Sequence, residues 1–172
     1  MNYIKDTKLK TALGYNVIIE IPKGTANKYE LVVPSNDKVE CVRKVKGKYP
    51  FYYGCFPQTH APDNDPLDMI LLTNKKRNIL DVVEVMPIGL IKTVDAGEQD
   101  DKILVIDTHE IIPNLYRMRK KALKFLKTYK GKKSQMILDT KIYGVLDAIE
   151  VIEKCNKVYK NMNKTSAIKV NF

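Results

Sequence analysis

Cysteine is scarce in this sequence, and what there is does not pair. Cys41, Cys55 and Cys155 are the whole set, far apart and with no CxxC spacing. An odd, dispersed trio argues against a disulfide framework or a cysteine zinc site and for a reducing compartment. Long apolar runs are missing too, so neither a membrane span nor a signal peptide is expected, and the N-terminal MNYIKDTKLKTALG fits a cytoplasmic chain. No low-complexity tract, proline-rich linker or repeat divides the 172 residues, which predicts one domain over 1–172. Acidic residues are outnumbered, 20 against 30 Lys and Arg, for a formal net charge of +10. Such an excess attracts polyanions, although a lysine-rich solvated surface explains it equally simply.

The first two thirds hold many short apolar and β-branched runs. Strands are predicted at 16–21, 29–33, 39–45, 69–73, 82–86, 89–94 and 103–106, with prolines and glycines between them as turns. Helical crossovers are missing between these runs, so a small closed barrel is expected rather than a parallel sheet. Helices come late. From Asn114, Leu115, Met118, Ala122, Phe125 or Leu126, and Tyr129 recur at helical spacing, with Gly131 as the stop, and a second helix is predicted over about 145–159. The fold class is therefore α+β, mainly β: a closed OB-like barrel of about five core strands flanked by two or three helices.

Into this basic chain the segment APDNDPLD packs Asp63, Asp65 and Asp68 within six residues. Like charges so close repel unless a cation sits among them. Pro66 fixes a bend where a loop enters the apolar run MILL, and three hard oxygen donors there suit Mg²⁺ or Mn²⁺. A solvated Asx turn fits the same hexapeptide equally well. A second acidic loop, DAGEQDDK, carries Asp95, Glu98, Asp100, Asp101 and Lys102 around Gly97. Two carboxylate clusters at strand ends would suit several divalent ions; a polar hairpin tip is the plainer reading.

Other segments contribute Glu20, Lys28, Glu30, Arg43, Tyr49, Tyr53, Tyr129 and Lys130. Taken in order over about 14–131, the whole set resembles family I soluble inorganic pyrophosphatases. The most specific elements are D-x-D-P-x-D at Asp63, Asp65 and Asp68, and D-x-G-E-x-D-x-K from Asp95 to Lys102. The resemblance implies a cytoplasmic hydrolase that splits pyrophosphate with several Mg²⁺ ions, Mn²⁺ or Zn²⁺ being able to substitute. Asp63, Asp68, Asp95 and Asp100 match its metal ligands, with Glu20 and Glu30 in the acidic cavity. Asp65 matches the carboxylate that positions the attacking water and accepts its proton. Lys28 and Tyr53 match contacts to the phosphoryl group under attack. Arg43, Tyr129 and Lys130 match contacts to the departing phosphate, and Lys102 matches a further cavity cation.

The chain departs from the family in places. Asn64 stands where Gly is common, a position where Asn tolerates a left-handed backbone. Tyr52 stands where many members carry Asn, which would alter a cavity-wall contact. No Trp-bearing segment follows Lys130. Lys124 and Thr128 occupy helix positions that hold interface histidines in several bacterial relatives, and neither His60 nor His109 matches a family site. Chain length favours a homo-oligomer of prokaryotic style, a hexamer first and a dimer or trimer as alternatives. Two further readings are an OB-like nucleic-acid module and a scaffold that has lost catalysis. Acidic loops at the groove would repel a phosphate backbone, so nucleic acid is not an expected partner. Every expected catalytic side chain is in place, which argues against the second.

Overall fold

A computed structural model describes residues 1–129 and 137–169. Its elements are α1 (Tyr3–Asp6), β1 (Tyr15–Ile21), β2 (Asn27–Leu31), β3 (Val39–Lys44), β4 (Tyr52–Cys55), β5 (Asp68–Leu72) and β6 (Val82–Asp95). They continue with β7 (Glu98–Gln99), β8 (Lys102–Asp107), α2 (Leu115–Leu126), β9 (Ile137–Tyr143) and α3 (Val145–Lys169).

Five strands close on themselves in the order β1-β4-β5-β8-β6, because β1 pairs with β4 on one side and β6 on the other. All pairings in this ring are antiparallel except β5 with β8. β7 and β9 add to β6, while β2 and β3 form a separate two-stranded ribbon. The ring answers to the small closed barrel expected from the sequence.

Both faces of β5 and β8 are covered, which explains their continuous apolar runs. Met69, Leu71, Ile103 and Val105 pack with Ala148 and Ile152 of α3. Their neighbours Ile70, Leu72 and Leu104 pack with Ala122 and Leu126 of α2. Alternation along each strand thus assigns one helix to each face.

The elements differ from expectation in several places. β4 was hidden by Gly54 and Pro57, which read as turn punctuation. Gly54 instead lies inside the strand, because a Cβ there would sit 1.9 Å from the Ile18 carbonyl oxygen. The predicted pair 82–86 and 89–94 is one strand, β6, whose register slips between Pro87 and Gly89. A bulge tolerates a proline that a regular ladder cannot. β9 was not anticipated. The helix predicted over 145–159 runs on to Lys169, since no Gly or Pro stops it, whereas α2 ends at Leu126, before Tyr129.

Candidate active site

Parallel pairing of β5 and β8 sets the site. Their first residues, Asp68 and Lys102, are partners in register, so the loops leading into both strands arrive at the same end of the ring. An antiparallel pair would have sent them to opposite ends. The first loop is 61–67. Ala61 N–H donates to the Asp65 carbonyl at 2.8 Å and Asn64 N–H to the Ala61 carbonyl at 3.0 Å. Asn64 takes the left-handed conformation, φ 69°, in keeping with its tolerance of that region. Asp65 N–H donates to the Asp63 carboxylate at 3.2 Å, so the Asx turn foreseen as the plain alternative is also present.

The second loop is a tight hairpin between β6 and β7, with Ala96 at φ 51° and Gly97 at φ 89°. Two consecutive positive φ values are what a type I′ turn demands, and they match the right-handed strand twist. Asp101 turns inward, accepting from Thr93 N–H at 3.2 Å and Gln99 Nε2 at 2.7 Å. Asp95 and Asp100 are left on the side facing the first loop.

Between the loops, the ribbon and the end of α2 lies a cavity of about 430 Å³. Glu20, Lys28, Glu30, Arg43, Tyr53, Asp63, Asp65, Asp68, Asp95, Asp100, Lys102 and Tyr129 all line it. Lys130, the remaining candidate, lies outside the described residues. Sequence reasoning missed Cys55 and Asn36, which also line the wall. Cys55 follows Tyr53 by two residues in β4, so the period of a strand was the available signal once that strand was recognised. Tyr52 does not line the cavity. It points to the opposite side, where its hydroxyl accepts from Arg77 N–H at 3.0 Å, so the expected wall contact is corrected. His60 and His109 do not line it either.

Charge in the cavity is organised around Lys102. Its ammonium, 1% exposed, donates to both Asp68 and Asp100. Tyr53 donates its hydroxyl to Asp68 at 2.6 Å. Burial opposes the charge on Lys102, but the two carboxylates outweigh it and push the ammonium pKa up. Burial first, then Asp68 and the Glu30 charge, push Glu20 up to about 8. Asp63 and Asp65 are likewise raised, chiefly by burial and then by neighbouring carboxylates. Tyr53 and Tyr129 are raised by burial and by Asp68, which keeps both phenols protonated as donors.

These shifts share one direction. The acids outweigh the single buried lysine, and the site needs further positive charge to hold them ionised. Among the described residues no three carboxylate, imidazole or thiol groups converge on one point. Lys102 instead holds Asp68 and Asp100 together, and the other acids stand around the cavity wall. An oxygen-rich donor set of this kind suits hard divalent ions that keep part of their water shell.

The comparisons agree with this geometry. The sequence profile of the family described as inorganic pyrophosphatase matches residues 17–160. The chain is 32% identical to the inorganic pyrophosphatase of a Synechocystis strain over 157 residues, 84% of this chain and 91% of the relative. It is 32% identical to the Methanosarcina acetivorans enzyme over 165 residues, 87% and 94% of the two chains. The crystal structure of the Thermus thermophilus inorganic pyrophosphatase superimposes with a TM-score of 0.81 at 27% identity, covering 93% of this chain and 99% of that one. The ring of strands, the two acidic loops at one end of it and these likenesses lead to one conclusion: the chain belongs to the inorganic pyrophosphatase family and hydrolyses pyrophosphate to phosphate.

Proposed function

We propose that the cavity carries out this hydrolysis with several Mg²⁺ ions held by Asp63, Asp68, Asp95 and Asp100, and with Asp65 as the proton acceptor. The observation that carries the reading is the gathering of five aspartates and three cations, Lys28, Arg43 and Lys102, around one cavity. The raised pKa values of Asp63 and Asp65 support it, since divalent ions among the carboxylates would relieve the crowding. Bound there, the metal ions would neutralise phosphoryl oxygens and make water a stronger nucleophile.

The chain's own groups divide the remaining work. Pyrophosphate has no apolar handle, so Lys28, Arg43 and the hydroxyls of Tyr53 and Tyr129 bind its oxygens. Lys28 and Tyr53 orient the phosphoryl group under attack. Arg43, Tyr129 and Lys130 hold the departing phosphate and offset its growing charge. Asp65, exposed at the mouth of the cavity, orients the attacking water and takes its proton on a carboxylate oxygen. Glu20 and Glu30 complete the acidic wall. The 172 residues act as one cytoplasmic domain within a homo-oligomer, a hexamer in the favoured form.

Phosphate release from pyrophosphate, followed with Mg²⁺, with EDTA and in Asp65→Asn, tests the assignment. Turnover is expected only with the divalent ion, and the variant is expected to lose at least about 100-fold in kcat. Full activity in the folded variant would remove Asp65 from the reaction.

A further inference from the structure

The two acidic loops have a second side. Asp63, Asp65 and Asp68 of the first line the catalytic cavity, whereas its Ala61, Asn64 and Leu67 line another cavity behind it. The hairpin and the start of β8 divide in the same way, with Asp100 and Lys102 on the first cavity and Gln99 and Asp101 on the second. Strand alternation sets this division: Leu67 and Asp101 continue the α3 face of Met69 and Ile103. The rear cavity measures about 210 Å³ and is walled by Val151, Cys155 and Val158 of α3. It lies across the ring from α2 and its Lys124 and Thr128. Most of its wall is apolar, and Asp101, 4% exposed, is the buried charge within it. Asp101 accepts from Thr93 N–H at 3.2 Å and from Gln99 Nε2 at 2.7 Å, both neutral donors. A carboxylate has about four lone-pair sites, so acceptor capacity remains. Among the described residues no cation forms an ion pair with it, whereas the similarly buried Asp107 has Arg77 and Lys75. Buried carboxylates are ordinarily paired.

We propose that the rear cavity is a regulatory site for a small organic ammonium with an apolar body, and that filling it slows pyrophosphate hydrolysis through the two shared loops. The ammonium pairs with Asp101, and the body lies against Leu67, Val151 and Val158. A dry apolar cavity of about 150 Å³ takes one benzene ring, so this one has room for a ring and a two-carbon arm. An organic anion fits less well, because its charge would meet a buried carboxylate while Lys154 stands exposed at the rim. A bare metal ion also fits less well, since no three ligating groups converge there among the described residues. Coupling follows from the shared backbone: Asp100 adjoins Asp101, and Asn64 adjoins Asp65. A positive charge behind the loops draws on the same carboxylates from the rear. It makes them weaker partners for cations in the catalytic cavity, and Asp65 a weaker proton acceptor. That direction rests on the roles proposed above for the aspartates; the binding itself does not.

Isothermal calorimetry of the full chain in its own assembly, in EDTA at pH 7.5 with phenethylamine, tests the site. A ligand of nine heavy atoms and ordinary efficiency gives a Kd of about 0.1–1 mM. Three controls separate body from charge: 2-phenylethanol lacks the charge, methylammonium lacks the body, and 3-phenylpropionate reverses the sign. Each is expected to bind at least about tenfold more weakly, as is phenethylamine to Asp101→Asn. Val158→Trp fills the cavity from a helix position that is 39% exposed, and it is expected to abolish binding without disturbing the core. Saturating phenethylamine is expected to lower wild-type pyrophosphate turnover by about fivefold or more, and to leave the rate of Val158→Trp the same with and without amine. Absence of binding to the wild type overturns the site, as does equal binding of 2-phenylethanol or undiminished binding by both variants. Binding that leaves wild-type turnover unchanged overturns the regulation. Failure of the role proposed for Asp65 would show in Asp65→Asn and leave the calorimetry as it is.

Discussion

Asp107→Asn removes one charge at the far end of β8 and leaves both apolar faces of that strand intact. Asp107 is 1% exposed. Its carboxylate accepts from Arg77 Nη2, from Lys75 Nζ at 3.4 Å and from His109 N–H at 2.8 Å. Breaking a buried pair from one side costs about 3–5 kcal/mol, because the partner is left desolvated and uncompensated. The lower end applies here, since the Arg77 side chain keeps 23% exposure and Lys75 keeps 41%. At about 2.1 cal/mol/K per residue, 172 residues unfold with roughly 0.36 kcal/mol/K, so a loss of about 3 kcal/mol lowers Tm by about 8 °C. Burial works against ionisation of Asp107, but the His109 amide and the two cations hold its pKa below the ordinary 3.8. Its contribution is therefore present above that value and lost as pH falls through the depressed one. Calorimetry should show a constant gap between wild type and variant from pH 6 to 8 that narrows once the pH falls below the ordinary carboxylate value. Lys102, at the cavity, is five residues away along β8, some 16 Å at strand rise, so turnover at 25 °C stays near wild type. A folded variant whose Tm drops by less than 2 °C at pH 7 would refute the reasoning.

Glu20 gives a pH effect of opposite sense. Its folded-state pKa of about 8 lies above the ordinary 4.5, so in EDTA the chain loses stability as pH rises between those values. The ceiling is about 5 kcal/mol, from 3.5 pKa units at about 1.36 kcal/mol each. Glu20→Gln should flatten that segment of the Tm profile, and parallel profiles for the two proteins would rule Glu20 out as its source. Gly54→Ala forces a Cβ against the Ile18 carbonyl, a backbone atom, and should destabilise the fold by more than about 3 kcal/mol by opening the β1–β4 seam. Gly97→Ala meets open space at φ 89°, so about 1 kcal/mol is expected in urea denaturation. Equal costs at the two positions would refute the steric argument.

Local chemistry was legible where it depended on neighbours in sequence. The bend at Pro66, the left-handed Asn64 and the acidic hairpin around Gly97 are readable from a few residues each, and so was the alternation that makes strands. The links that assemble the site are long-range. Asp68 meets Lys102 only through the parallel register of β5 and β8, and no window of sequence displays that register. Tyr52 and Tyr53 are adjacent and point to opposite sides of β4, so the unrecognised strand left the direction of Tyr52 open. The end of α3 escaped for another reason: residues after Tyr159 show neither a regular apolar spacing nor a Gly or Pro, so periodicity stops reporting before the helix does.

The closure of the ring imposes an order on its assembly as the chain is synthesised. β8 emerges last of the five ring strands yet occupies the place between β5 and β6. Until residue 107 has emerged, β6, β1, β4 and β5 form an open strip whose end strands β5 and β6 face the gap with unpaired edges. During that interval Asp68 stands beside Asp63 and Asp65 without the Lys102 ammonium. Inserting one strand then fills the gap, removes the exposed edges and delivers the cation to the acidic cluster in a single event. The closed ring and the Lys102-bound acidic cluster therefore come into being together, and a nascent chain cut short before β8 would hold neither.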